Sequence, residues 1–172
     1  MTIHRSHPFA SQPDPVRRLR GRLGGAVSLW TAGDGTRRAG LTVSSMMVAN
    51  GEPGRVVGLL DPDADLLDLL RDTGRGVVGL LEWADRDLAD AFGGVAPAPG
   101  GAFTHGSWLQ TAYGPALKDR SRALVRVESA QDVGWSVLVT AAIDEVVMAE
   151  DRDPLEHRRG RYQRPGGRGG PS

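Results

Sequence analysis

Two strand-like runs separated by a four-residue turn constrain this chain most. Ala26-Val27-Ser28-Leu29-Trp30-Thr31-Ala32 precedes Gly33-Asp34-Gly35-Thr36, and Arg38 to Ser45 follows. A connection this short cannot cross a sheet, so the two runs must pair antiparallel. Glycine supplies the positive φ that such a tight turn needs. The same grammar recurs downstream. Gly51-Glu52-Pro53-Gly54 turns into Arg55-Val56-Val57-Gly58-Leu59-Leu60, apolar enough to be buried on both faces. Gly74-Arg75-Gly76 turns into Val77 to Leu81, Trp108 to Tyr113 reads as an edge strand, and Arg122 to Glu128 alternates as a half-buried strand does. Val133 to Met148 is a long strand, straight or bent. About seven strands joined by short turns point to an antiparallel barrel rather than a parallel sheet.

Three helical segments interrupt the strands. Pro15 to Leu23 has Asp14 as a cap, Pro15 at the first helical position, and Val16, Leu19 and Leu23 on one face. Arg17, Arg18, Arg20 and Arg22 make its remainder basic, which reads as the solvated side of a surface helix or as an anion-binding face. Asp61-Pro62-Asp63-Ala64-Asp65 breaks the third strand and caps Leu66 to Arg71. Ala84 to Phe92 is short and amphipathic. Gly93 to Gly101 is loop. Pro154 to Tyr162 docks as a short helix or an extended tail. Residues 1–12 read as a flexible arm, 13–162 as one domain and 163–172 as a disordered tail.

The charge balance decides against some functions. Lys and Arg number 21 and Asp and Glu number 21. A globally basic nucleic-acid binder is therefore disfavoured, and the Arg-Gly tail through Arg164 and Arg168 reads as solvated chain. No cysteine is present, which excludes disulfides, thiolate nucleophiles and iron–sulfur clusters. His4, His7, His105 and His157 lack metal-ligand spacing, so no metal is expected. No nucleophile elbow, phosphate loop or dinucleotide fingerprint occurs. Neither a signal peptide nor a membrane span is legible, and the expected location is the cytoplasm.

What remains is the exit of the second strand, Thr42-Val43-Ser44-Ser45. Hydroxyls and backbone N–H groups leaving a strand suit a phosphate or polar ring edges, and they equally suit an ordinary solvated turn. Ala39-Gly40-Leu41-Thr42-Val43-Ser44-Ser45, Ala89-Asp90-Ala91-Phe92-Gly93-Gly94 and Pro154-Leu155-Glu156-His157-Arg158-Arg159-Gly160-Arg161-Tyr162 fall in an order that resembles the flavin reductase-like family. The resemblance implies a mainly β fold with short helices, a six-stranded antiparallel split β-barrel that forms a homodimer. It further implies FMN, or FAD in its place, bound at the dimer interface and reduced by NAD(P)H, with a monooxygenase as a partner that consumes the reduced flavin. Thr42, Val43, Ser44 and Ser45 would line the flavin. Asp61 opens the turn where the family holds the phosphate with hydroxyls, and Arg158 and Arg161 are the cations available to grip that phosphate instead. No catalytic acid or base is assigned. Two departures set the rival reading, a flavin, deazaflavin or haem carrier without turnover. The phosphate turn is acidic, and Gly134-Trp135-Ser136 stands where many reductases have Gly-Asp-His. Trp135 either stacks on a ring or fills the core or dimer interface.

Overall fold

A computed structural model describes residues 14–166. The expected arm and the end of the expected tail lie outside the described residues. Helix α1 (Pro15–Leu23) leads to β1 (Gly25–Ala26), β2 (Ser28–Asp34), β3 (Arg37–Val43), β4 (Met46–Ala49) and β5 (Arg55–Leu60). Helix α2 (Asp65–Thr73) and β6 (Arg75–Leu80) follow, then a single 3-10 turn (Trp83–Asp85) running into α3 (Arg86–Phe92). A second 3-10 turn (Ala102–Thr104) precedes the hairpin β7 (Trp108–Thr111) and β8 (Gly114–Leu117). Two long strands, β9 (Arg122–Val133) and β10 (Ser136–Val147), come next, and the hairpin β11 (Glu156–Arg158) and β12 (Arg161–Gln163) closes the chain.

The main sheet has seven strands in the order β3-β2-β6-β9-β10-β5-β4, every pair antiparallel. Its two end strands, β3 and β4, are consecutive in the chain and separated only by Ser44 and Ser45. The sequence reading ended the second strand at Ser45 and named no further strand before the Gly51 turn; the structure has β4 there. Met46, Met47 and Val48 pair with Gly58, Val57 and Val56. The long β10 bends, as one of its two readings expected, with register shifts between Thr140 and Ala141 and between Ile143 and Glu145. β5 is not buried on both faces: Val56, Gly58 and Leu60 are buried, while alternate residues are half-exposed.

Packing explains which residues had to be small. Trp30 of β2 is 1 % exposed and lies over Gly58 of β5, where a Cβ would come within 2.7 Å of its ring. Gly40 of β3 likewise meets Phe92 of α3 at 2.7 Å. Leu66, Leu67, Leu69 and Leu70 of α2 fill the core beside Trp30, Val43 and Val56. The cap of α2 differs from expectation. Ala64 occupies the N-cap and makes no side-chain cap, while the Asp61 carboxylate accepts the Asp63 N–H at 2.9 Å and closes the preceding turn. The remaining acids, Asp65 and Asp68, sit in the first turn of α2 where the helix dipole favours them.

A second core holds α3 and the C-terminal segment. Val27, Leu81, Leu88, Phe92, Leu117 and Leu155 are buried together. The backbone weaves them: Val27 N–H donates to Leu155 O at 2.9 Å, Leu81 N–H to Val27 O at 3.0 Å, and Leu155 N–H to Leu81 O at 2.9 Å. Extension at Leu155 leaves no room for a terminal helix, so Pro154 to Tyr162 takes the extended alternative, a hairpin. Its turn, Arg159-Gly160, has φ of 53° and 76°. Strand β8 was hidden in sequence by Gly114 and Pro115. All four of its residues are buried, and the Pro115 carbonyl accepts the Thr31 hydroxyl.

Candidate functional site

The chain changes neighbours at Ser44 and Ser45. Val43 pairs with Ser28 of β2, whereas the Ser45 carbonyl accepts the Leu59 N–H of β5 at 2.9 Å. Two residues thus leave one ladder and enter another, opening a break lined by hydroxyls. The break is held from below. The Ser28 hydroxyl donates to the Val43 carbonyl at 2.6 Å, and the Trp30 indole N–H donates to Ser28 Oγ at 3.1 Å. β1 passes so closely that a Cβ on Gly25 would lie 2.9 Å from Ser44 O. Glycine is therefore required there for the approach.

The residues expected to bind a cofactor divide into three groups. Thr42, Val43, Ser44 and Ser45 form the break itself. The Thr42 hydroxyl donates to the Ala89 carbonyl at 2.7 Å, fastening β3 to α3. Val43 points into the core, at 4 % exposure. Ser44 is half-buried, and Ser45 accepts a bond described below. Asp61 lies two residues beyond Leu59, the residue that holds Ser45, so it flanks the break on the α2 side. Arg158 approaches from the other side. Its Nε donates to the Arg22 carbonyl at 3.3 Å, and its Cγ packs against Gly24. Arg161 pairs with Arg158 across the β11–β12 hairpin and is exposed.

Arg20 was one of four arginines on a helix side read as solvated or as anion-binding, with no link to the break; its Nη2 donates to Ser45 Oγ at 2.9 Å. No spacing could reveal this, because α1 reaches the break through the terminal hairpin: Arg159 N–H donates to Gly21 O at 2.8 Å. His157 faces the same region. Burial, with the Arg20 cation nearby, holds its imidazole below the usual histidine range. Tyr162 stacks edge-on against His157 at 5.9 Å and donates its hydroxyl to Asp90 at 2.8 Å. Burial and that donation push the Tyr162 phenol above its ordinary range.

Trp135 occupies the tip of the β9–β10 hairpin at 69 % exposure, so it does not fill the core. His105 is half-buried, and its carbonyl accepts the Trp108 indole N–H at 2.8 Å. Among the described residues no three His, Asp or Glu cluster to hold a metal, and no helix is long and apolar enough to cross a membrane. The arrangement offers the hydroxyls of Ser44 and Ser45 with the Arg20 guanidinium beside them. Such a donor set suits a ligand with a polar, charged end.

Known proteins share this architecture. The family described as "Flavin reductase like domain" matches residues 20–166. An FMN reductase (NADH) RutF of Stutzerimonas stutzeri (strain A1501) is 26 % identical over 144 residues, covering 83 % of this chain and 82 % of that protein. The NADH:FAD oxidoreductase SgcE6 of Streptomyces globisporus C-1027 superposes with a TM-score of 0.78 at 20 % identity, over 91 % of this chain and 98 % of that one. BorF, the flavin reductase component of a bacterial two-component tryptophan halogenase, gives 0.76 at 18 % identity, over 87 % and 95 %.

Proposed function

The chain belongs to the flavin reductase-like family, and from that premise we propose that it is an NAD(P)H-dependent flavin reductase with FMN as its flavin. The observation that carries this reading is the Ser44–Ser45 break, where the two end strands of the sheet meet in sequence within the span that the family matches. Counted as one bent strand, β3 and β4 make six strands from seven and return the sheet to its start. This supports a six-stranded split barrel. Exposed Val16, Leu19, Leu23, Met47 and Val48 support a homodimer that covers them.

The flavin supplies the electronic chemistry, accepting hydride from the nicotinamide and passing it on. The chain binds and orients. Ser44 and Ser45 offer hydroxyls to the flavin's polar groups, and Thr42, fixed to Ala89, keeps that strand exit rigid. Arg158 and Arg161 remain candidates for its phosphate, with Asp61 at the border of the site. The relatives named above are an FMN reductase and a component of a two-component halogenase. Their names support a product, reduced flavin, that is passed to a partner enzyme.

The test is an absorbance spectrum of the purified chain with FMN, then with NADH or NADPH. Bleaching of the flavin band and steady oxidation of the nicotinamide are expected. A bound flavin that neither nucleotide reduces would replace this reading with the carrier reading, which the acidic turn and Gly134-Trp135-Ser136 favour. A chain that binds no flavin would end both.

A further inference from the structure

Asn50 is the chain's only asparagine, and Gly51 follows it. The pair lies just past β4, in the connection to β5, and both residues are exposed. The far end of that connection is fastened. Ile143 N–H donates to Gly54 O at 2.9 Å, and Arg55 Nη1 donates to Pro53 O at 3.1 Å. The near end is not. Among the described residues, neither the Asn50 side chain nor the Gly51 N–H has a hydrogen-bond partner. Asp34-Gly35 offers related chemistry in a different setting, the β2–β3 turn. There Asp34 pairs with Arg37 in the ladder, Gln110 Nε2 donates to Gly33 O at 3.1 Å, and Arg37 pairs with Asp72.

We propose that Asn50-Gly51 is a self-modification site, at which the folded chain converts its asparagine to isoaspartate and aspartate. The Gly51 nitrogen, having lost its proton to water, attacks Asn50 Cγ. An N–Cγ bond forms, the Cγ–Nδ2 bond breaks, and ammonia leaves, taking up a proton. Water then opens the cyclic imide. Opening at Cγ gives aspartate; opening at the main-chain carbonyl gives isoaspartate, whose chain runs through the side chain. Water is the one reactant consumed, and nothing is oxidised or reduced. Glycine matters because a Cβ beside the attacking nitrogen would obstruct it, and an unbonded N–H is free to lose its proton. The imide ring contains Asn50 Cα and its carbonyl carbon, so the backbone there must turn as the ring closes. That motion is open at Asn50, one residue past the last ladder pair, Ala49 with Arg55. It is closed at Asp34, which lies inside its ladder. The product places a new carboxylate, and in isoaspartate an extra methylene in the backbone, at the root of β4. Basic and acidic residues number 21 each, so the formal net charge falls below zero. The site is independent of the ligand that the break takes.

The experiment incubates the full chain in warm, mildly alkaline buffer, folded and in urea, for wild type, N50S and D34N. Circular dichroism establishes which samples are folded. Isoelectric focusing follows the charge, and mass analysis of the tryptic peptide 39–55 separates its aspartyl and isoaspartyl forms. Folded wild type should gain an acidic species richer in isoaspartate than in aspartate, at a rate within about tenfold of the chain in urea. N50S should gain none. D34N puts the same dipeptide chemistry in both connections. Position 34 should lag position 50 by about tenfold or more in the folded chain, since ladder bonds must open first, and the two should react alike in urea. Where D34N does not fold, Asp34 isomerisation in wild type supplies the comparison, and folding should slow it by about tenfold or more. Slowing of Asn50 by more than about tenfold on folding overturns the proposal. So does an acidic species that forms as fast in N50S, or a folded chain in which positions 34 and 50 react alike.

Discussion

Helices α1 and α2 are both nine residues long and both carry leucines on one face, yet their fates differ. α2 buries Leu66, Leu67, Leu69 and Leu70 against the sheet. α1 buries nothing: Val16, Leu19 and Leu23 are 74 %, 64 % and 77 % exposed. The first helix is held instead by polar hooks, at Gly21, Arg22 and Ser45. An apolar stripe therefore specifies a face and says nothing about what covers it. One helix is part of the core; the other is tied down by polar bonds and leaves its apolar face exposed.

The contrast breaks most easily at Leu67, which is 0 % exposed. Leu67→Ala should cost about 2–5 kcal/mol, the transfer loss plus a cavity that a packed core only partly closes. Urea unfolding followed by circular dichroism reads this as a lowered midpoint with an unchanged slope. A loss near that of a surface mutation would mean that α2 is no more a core element than α1.

That difference also marks what the sequence could tell. Both helices were legible, α1 from its cap and spacing and α2 from its leucine run, and α1 has the expected bounds, because Asp14 caps Val16 locally at 2.9 Å. β5 was likewise legible, since its apolar run is bounded by Gly54 and Asp61. Strands β4 and β8 were not. β4 is a short partner of β5 with three exposed residues, and β8 carries Gly114 and Pro115, which usually break strands. Both exist through pairing with distant or adjacent strands rather than through propensity. The hydroxyl break was visible as Thr42-Val43-Ser44-Ser45. The Arg20–Ser45 bond was not, because the two residues lie far apart in sequence and α1 is held in place by the terminal hairpin.

A second test addresses the hooks that hold α1. The hairpin beneath it is tied to α3 by the Tyr162 hydroxyl on Asp90. Tyr162→Phe should lose about 1 kcal/mol, since Asp90 keeps some access to water. Its pH signature is sharper. The folded protein raises the Tyr162 pKa, so the contribution is whole below the unfolded value of about 10 and fades as pH rises past it. Wild type should show this alkaline loss and Tyr162→Phe should show less of it. Identical profiles would mean that the hairpin is anchored elsewhere.

The α2 side of the break can be sharpened through Asp61. Asn in its place can still accept the Asp63 N–H, so the turn should persist while a charge is lost. Asp61→Asn should raise FMN affinity about two- to fivefold and leave riboflavin affinity alone, a modest, screened effect. Fluorescence titration distinguishes this from a general change in the site. A parallel rise for both compounds would remove the Asp61 charge from the account.

The smallest stability effect is expected at Leu19, and it tests the comparison from the α1 side. In the single chain Leu19 is mostly in water, so Leu19→Ser removes little buried area and should alter unfolding at low protein concentration by less than about 0.5 kcal/mol. The consequence should lie in assembly. If a second copy covers Val16, Leu19 and Leu23, a serine there places a polar group in a dry contact, which is costly. Sedimentation across a concentration series should then show Leu19→Ser dissociating where wild type stays paired. A stability loss as large as that of Leu67→Ala at monomer concentrations would place Leu19 inside a core within one chain. No change in either stability or association would leave α1 as a carrier of cations alone, and its apolar stripe would have no role in the fold or the dimer.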